Sequence, residues 1–248
     1  MKFSQNFLID ESIAERQVNY ANLNKNDFVL EIGAGNGILT KKIAKIAKVI
    51  AVEIDERFIP KLKNIKNVEV INEDVTKIDL NDIYFNKVIS NIPYHISSEI
   101  TFKLLEKKFE LGILMYQKEF AERLVAREGK NYSRLSVMAY SKADIEILEI
   151  VPRRAFRPIP KVDSCIVKVV PIGKRFDLNY EIFDRVVRVL FAHRRKKIKN
   201  SVAALGPLAR EAAEKTGVAD RRVEEISPEK IAELCKYLED KNEMEKNI

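Results

Sequence analysis

The stretch Val29-Leu30-Glu31-Ile32-Gly33-Ala34-Gly35-Asn36-Gly37 decides the fold. An apolar run ends in an acid, and glycines then follow at alternate positions. Ile38, Leu39, Ile43, Ala44, Ile46 and Ala47 continue at helical spacing. The pattern predicts a buried strand, a tight glycine turn and a helix lying on the sheet. Glycine in such a turn admits positive φ and lets a ligand approach without a Cβ in the way. The next apolar run, Val49-Ile50-Ala51-Val52, ends in Glu53, twenty residues after Gly33. Nucleotide-binding α/β folds place there the carboxylate that holds ribose hydroxyls. A glycine-rich turn with no ligand is the competing reading, and the position of Glu53 argues against it.

The same alternation continues outward. Strands are predicted at Val68–Ile71, Lys87–Ser90, Leu111–Tyr116, Ile145–Val151 and Ser164–Val170. Helices are predicted over 11–23, with Asp10 as cap, and over 38–47, 56–63, 96–107, 118–127 and 133–141. Pro171-Ile172-Gly173-Lys174-Arg175 reads as a linker. Helical patterns follow near 180–192, 194–205, 207–216 and 228–238, with fraying from Asp240. Strands alternating with helices, then helices alone, predict an α/β parallel-sheet domain over 1–175 and a small all-helical domain over 176–248.

Composition narrows the function. The 248 residues are 46% hydrophobic, enough to bury a large core. No secretory signal opens the sequence and no apolar run is long enough to span a membrane, so a soluble, cytoplasmic protein is expected. Cys165 and Cys235 lie far apart at no metal-binding spacing, and His95 and His193 are the only histidines, so no metal site is expected. Net charge is +7 and the sequence pI is about 9.2. The positive charge is clustered: Arg153, Arg154, Arg157 and Lys161 in one loop, Arg194-Arg195-Lys196-Lys197 with Lys199 in another stretch. Clusters of this kind favour a polyanionic partner over a merely solvated face.

The glycine spacing is G-x-G-x-G, not the G-x-G-x-x-G fitted to a pyrophosphate. It resembles the first motif of class I S-adenosylmethionine (AdoMet) methyltransferases, in which a methionine moiety takes the pyrophosphate's place. Asp74, after a strand, is either a turn acid or a carboxylate placed to accept from an adenine amino group. Asn91-Ile92-Pro93-Tyr94 ends the next strand. An exocyclic adenine amine is a poor nucleophile because its lone pair is delocalised into the ring. The Asn91 side-chain oxygen and the Ile92 carbonyl, held before Pro93, can accept its hydrogens and aim the lone pair. Tyr94 offers a flat face for an unstacked base, and Phe156 can cover the other face. Near the start, Gln5-Asn6-Phe7-Leu8 is either a frayed arm with one aromatic anchor or a lid whose Asn6 and Leu8 touch a cofactor.

Together, Gln5-Asn6-Phe7-Leu8, Glu31-Ile32-Gly33-Ala34-Gly35-Asn36-Gly37, Glu53-Ile54-Asp55, Glu73-Asp74-Val75, Asn91-Ile92-Pro93-Tyr94 and Phe156-Arg157-Pro158-Ile159-Pro160-Lys161-Val162-Asp163-Ser164 resemble the KsgA-type ribosomal RNA adenine dimethyltransferases. Phe191-Ala192-His193-Arg194-Arg195-Lys196 is similar to that family's C-terminal domain. The resemblance implies a class I, Rossmann-like methyltransferase sheet with a helical C-terminal domain that binds RNA or the ribosome. It implies AdoMet as donor and two adjacent adenosines near the 3′ end of small-subunit (16S) rRNA as acceptors, each becoming N6,N6-dimethyladenosine. By position it assigns Asn6, Leu8, Gly33, Gly35, Glu53, Asp74 and Asn91 to the cofactor, and Asn91, Ile92, Pro93, Tyr94 and Phe156 to the target base. It also implies a role in small-subunit biogenesis, and a monomer is expected. Ser4 stands where the family has Gly, and the family's basic N-terminal extension is nearly absent. The alternatives are a large-subunit rRNA methyltransferase of the macrolide-resistance type and a non-catalytic ribosome-assembly factor. A nicotinamide-dependent oxidoreductase is a further reading, disfavoured by the glycine spacing and by Asn91-Ile92-Pro93-Tyr94.

Overall fold

Residue chemistry sets the element boundaries. The structure, a computed structural model, describes residues 6–246. After a short strand β1 (Phe7–Leu8), the Asp10 carboxylate accepts from the Ser12 and Ile13 amides at 3.0 and 3.2 Å and starts helix α1 (Glu11–Asn19). There follow β2 (Phe28–Ile32), α2 (Ile38–Ile43), β3 (Lys48–Val52), α3 (Ile59–Lys63) and β4 (Val68–Ile71). Next come β5 (Lys87–Asn91), α4 (Ser97–Leu105), β6 (Leu111–Gln117), α5 (Lys118–Val125) and α6 (Arg134–Lys142). The chain continues through β7 (Ala143–Val151), β8 (Phe156–Arg157), β9 (Ser164–Pro171), α7 (Tyr180–Ala192), α8 (Ile198–Ser201), α9 (Pro207–Lys215) and α10 (Pro228–Lys246).

The chain divides into two units. The first holds the described residues up to Ala121 together with Ala143–Gly173; the second holds Glu122–Lys142 and the residues from Lys174 onward. The expected boundary after residue 175 made α6 another crossover helix of the sheet domain. In the structure α6 groups with the C-terminal helices instead. Arg134 pairs with Asp184 at 2.7 Å, and Tyr132 meets Phe191 edge-on at 5.2 Å.

The first unit is a seven-stranded sheet in the order β4-β3-β2-β5-β6-β9-β7. β4 to β6 are parallel, and their near-continuous apolar runs suit strands covered on both faces. β9 runs antiparallel to both β6 and β7, where the alternation predicts a parallel sheet. The link from β7 to β9 is a loop without a crossover helix, so the chain returns as a hairpin does. Leu39, Ile43, Val49, Ile89, Ile113 and Ile166, each buried, belong to the core of this unit.

The strand order reverses between β2 and β5. These two strands pair only at Val29↔Lys87 and Leu30↔Val88. Beyond those positions the ladder stops, and the crevice opens at the carboxyl ends, where open α/β sheets bind ligands.

The second unit corrects two expectations. The helix predicted over 194–205 shrinks to α8 and a 3-10 turn, because Arg194, Lys196 and Lys197 pair instead with 221–224. Glu224 N donates to Arg194 O at 3.1 Å and Ile198 N to Arg221 O at 2.9 Å. The segment from Asp240, expected to fray, continues as α10 to Lys246.

Candidate active site

A cavity of about 600 Å³ lies over the carboxyl ends of β2 to β5. The glycine turn forms one wall. Gly33, Gly35 and Gly37 all have positive φ, at +69°, +52° and +80°. Gly33 N donates to Val52 O at 2.8 Å and so ties the turn to β3. A Cβ on Gly33 would stand 3.2 Å from Pro93 Cγ, and one on Gly35 would stand 3.2 Å from Phe7 Cε1. The turn therefore carries glycine for its dihedrals and for close approach on two sides.

Three carboxylates serve this wall differently. Glu53, buried at the end of β3, accepts from Gly35 N at 2.7 Å through Oε2 and from Asp55 N at 2.8 Å through Oε1. Each oxygen keeps a further lone pair for donors such as vicinal hydroxyls. Glu31 is buried, and its Oε2 has no partner among the described residues. Burial pushes its pKa up to about 8; Thr40 opposes that rise and the Glu53 charge adds to it. A cationic group entering the cavity would stabilise the charged form of this acid. Asp74 Oδ1 accepts from Thr76 N at 3.0 Å and from Thr76 Oγ1 at 2.8 Å. The Thr76 hydroxyl and amide hold its carboxyl below the usual range, and Oδ2 is the oxygen these bonds leave for a ligand. Lys103 of α4 clamps the same turn, its Nζ donating to Val75 O at 2.9 Å and Thr76 O at 3.0 Å.

Asn91-Ile92-Pro93-Tyr94 forms the facing wall. Asn91 ends β5, and its Oδ1 is buried without a partner among the described residues. An unpaired buried acceptor costs about 1–3 kcal/mol, which a donor on a ligand would offset. Ile92 N donates to Met115 O at 3.1 Å and fixes the motif against β6. The Tyr94 hydroxyl meets Ser164 Oγ at 2.8 Å, which anchors the ring to the start of β9.

β1 and β8 close the cavity, paired antiparallel as Phe7↔Arg157 and Leu8↔Phe156. Asn6 and Leu8 border the cavity, so this part of the N-terminal segment is a tethered strand and not a frayed arm. Gln5 of the same motif lies outside the described residues. Phe156 borders the cavity but is 2% exposed and belongs to the core, so less of its ring is open than a free stacking platform would offer.

Every site residue drawn from the sequence thus borders one cavity: Asn6, Leu8, Gly33, Gly35, Glu53, Asp74, Asn91, Ile92, Pro93, Tyr94 and Phe156. Phe7, Glu31, Thr76, His95 and Glu99 also border it, and the sequence motifs assign them no role. Thr76 had a readable signal, a hydroxyl two residues after an acid. Glu31 had one too, an acid inside an otherwise apolar strand.

The two basic clusters differ. In the second unit Arg194 donates to Lys130 O at 2.6 Å and lies 3.7 Å from Glu224, while Lys197 and Lys199 share Asp220 at 3.0 and 2.8 Å. In the 152–163 loop of the first unit, Arg153, Arg154, Arg157 and Lys161 make no ion pair among the described residues. Asp163 pins that loop, accepting from Arg153 N at 2.9 Å through its side chain and from Lys118 N at 2.9 Å through its carbonyl.

The ribosomal RNA adenine dimethylase family matches residues 1–240. A probable ribosomal RNA small subunit methyltransferase A from Methanosarcina acetivorans is 45% identical over 252 residues, covering 96% of this chain and 93% of that relative. The crystal structure of a dimethyladenosine transferase from Plasmodium falciparum superposes with a TM-score of 0.87 at 30% identity, over 95% of this chain and 98% of that one. That of the 23S rRNA methyltransferase ErmE gives 0.74 at 31% identity, over 94% and 99%. With its class I methyltransferase sheet, glycine turn and Asn91-Ile92-Pro93-Tyr94 wall, the chain belongs to the ribosomal RNA adenine dimethylase family.

Proposed function

We propose that this protein transfers methyl groups from AdoMet to N6 of two adjacent adenosines near the 3′ end of small-subunit rRNA, giving N6,N6-dimethyladenosine. The observation that carries the reading is the buried Asn91 Oδ1, without a partner among the described residues, beside Ile92 and Pro93 and facing a glycine-turn pocket with Glu53 and Asp74. The residues fit AdoMet. Glu53 would take ribose hydroxyls, Asp74 the adenine amine, and Glu31 lies where an amino-acid ammonium would find a buried acid. Bound there, AdoMet supplies a methyl group already activated by a sulfonium, so the protein's task is orientation.

Asn91 Oδ1 and the Ile92 carbonyl accept the N6 hydrogens and turn the nitrogen lone pair toward the donor side. Neither amide oxygen is basic enough to keep a proton, so the proton displaced from N6 passes to water. Tyr94, held by Ser164, supports the flipped base from one face. The cations of the 152–163 loop, without an ion pair among the described residues, would hold phosphates beside the target. We further propose that the protein works on the assembling small subunit.

The large-subunit alternative draws on the likeness to ErmE. The small-subunit reading is favoured by the relative at 45% identity and by the higher TM-score of the dimethyladenosine transferase. The test is methyl transfer from labelled AdoMet to undermethylated small subunits, with large subunits in parallel and the product digested to nucleosides. Dimethyladenosine from small subunits alone is expected. Label confined to large subunits would overturn the substrate, and AdoMet binding without label in either would favour a non-catalytic assembly factor.

A further inference from the structure

We infer that Ser90 and Gln17 are positioning residues that lock the Asn91 wall to the glycine-turn wall, and that this lock governs the second methylation of each adenosine. The inference rests on the function proposed above and goes beyond it.

The lock sits where the β2–β5 ladder stops. Past Leu30↔Val88 the two strands share no further pairing, yet the donor turn at Gly33 and the acceptor motif at Asn91 each start three residues later. On its β6 side the motif is still held, by Ile92 N on Met115 O at 3.1 Å. On its β2 side one side-chain bond replaces the ladder: Ser90 Oγ donates to Ile32 O at 2.6 Å. Ile32 precedes Gly33, and Ser90 precedes Asn91, so this bond joins the last residue before each wall.

Gln17 secures the same point from α1. Its Nε2 donates to Ser90 O and to Ile113 O, each at 3.3 Å. The Ser90 carbonyl belongs to the peptide plane that leads into Asn91, so holding it fixes the direction in which Asn91 leaves the strand. Gln17 and Ser90 are both 0% exposed. Gln17 Oε1 has no partner among the described residues, a cost that an apolar side chain of similar length at this helix position would avoid. A purely space-filling position on the core face of α1 does not call for such an amide; a grip on the Ser90 carbonyl does.

The lock matters most for the second transfer. The first acceptor is an NH2 whose two hydrogens engage two acceptors. After one methylation, N6 keeps a single hydrogen and must be presented with a methyl group in the other's place. It then depends on one well-directed acceptor, and misplacement of that acceptor penalises the second step more than the first. Loosening the Asn91 wall therefore changes the ratio of N6-monomethyladenosine to N6,N6-dimethyladenosine; compared at equal total methyl transferred, that ratio no longer depends on how much of the enzyme is folded.

The experiment compares wild type, Ser90→Ala, Ser90→Thr and Gln17→Met in methyl transfer to undermethylated small subunits at saturating AdoMet. Nucleoside ratios are measured over time and compared at equal total methyl incorporation, with AdoMet affinity measured by calorimetry. The expected result is a mono-to-dimethyl ratio raised about tenfold in Ser90→Ala and raised less in Gln17→Met. Ser90→Thr, which keeps the hydroxyl, should restore the wild-type ratio, and AdoMet affinity should hold in all three variants. A wild-type ratio in Ser90→Ala, or a raised ratio that Ser90→Thr fails to restore, overturns the inference. A wild type that forms no methyladenosine would overturn the proposed function itself and this inference with it, a result distinct from normal dimethylation with an unchanged ratio.

Discussion

Replacing Gly33 and Gly35 by alanine, one at a time, separates strain in the donor turn from displacement of the acceptor motif. Both residues sit in the left-handed region, at φ +69° and +52°, where an L side chain costs about 1–2 kcal/mol. At about 2–4 °C per kcal/mol for a chain of this size, either variant should melt about 2–8 °C lower. The new methyl groups meet different neighbours. At Gly35 the Cβ reaches the Phe7 ring, at 3.2 Å from Cε1 and 3.3 Å from Cδ1, and that ring can rotate aside. At Gly33 it reaches Pro93, at 3.2 Å from Cγ and 3.5 Å from Cδ, and a pyrrolidine ring between Ile92 and Tyr94 cannot. Pro93 must shift by a few tenths of an ångström and take the Ile92 carbonyl with it. Both variants should bind AdoMet more weakly. At saturating AdoMet and RNA, only Gly33→Ala should also slow single-turnover transfer, by about tenfold or more. Thermal unfolding, calorimetric titration and rapid-quench transfer read the three quantities. Equal single-turnover rates in the two variants would refute the claim that the glycine turn sets the position of the acceptor motif.

Three further outcomes are expected. Lys103→Met removes the donor that clamps Val75 O and Thr76 O, so titration should show AdoMet binding weakened by roughly 1 kcal/mol, about fivefold; unchanged affinity would show that the Asp74 turn holds itself. Glu31 is protonated in the fold and ionised in the unfolded chain between the ordinary glutamate value of 4.5 and about 8. Its raised pKa therefore makes wild-type stability fall through that window relative to Glu31→Gln, by at most about 1.4 kcal/mol per pH unit, and parallel denaturation curves from about pH 5 to 8 would contradict the assignment. Arg154→Gln combined with Lys161→Gln should flatten the dependence of log affinity on log salt for single-stranded target RNA by about 1.4, whereas Lys197→Gln with Lys199→Gln, both already held by Asp220, should flatten it less.

Much of the site could be read from local pattern because its residues sit at strand ends. Gly33, Glu53, Asp74 and Asn91 each follow an apolar run, and a parallel sheet gathers such ends on one edge. Packing across the chain was not legible in this way. Nothing local tells α6 from a crossover helix, since Asp184, which pairs with its Arg134, and Phe191, which meets Tyr132 just before it, lie far along the sequence. The direction of β9 depends on whether a helix bridges β7 to it, and the proline-rich loop before it carries no period to read. The basic run at 194–199 has helical spacing, but backbone pairing with 221–224 overrides that propensity. Glu31 stands out in the sequence as an acid in an apolar strand, but its raised pKa shows only once its burial is known, and Gln17 reads as an ordinary polar position on a helix until its amide is seen on the Ser90 carbonyl.

On the proposed function, Asn91, at the crevice between β2 and β5, presents adenine N6 to a donor held by the glycine turn. The most direct test is single-turnover methyl transfer to undermethylated small subunits by wild type and Asn91→Ala, each at saturating AdoMet, with subunit binding measured alongside. Wild type should give N6,N6-dimethyladenosine, and Asn91→Ala a transfer rate lower by about a hundredfold or more with subunit binding retained. Transfer by Asn91→Ala at the wild-type rate would mean that something other than this wall orients the acceptor, and would overturn the role proposed for Asn91.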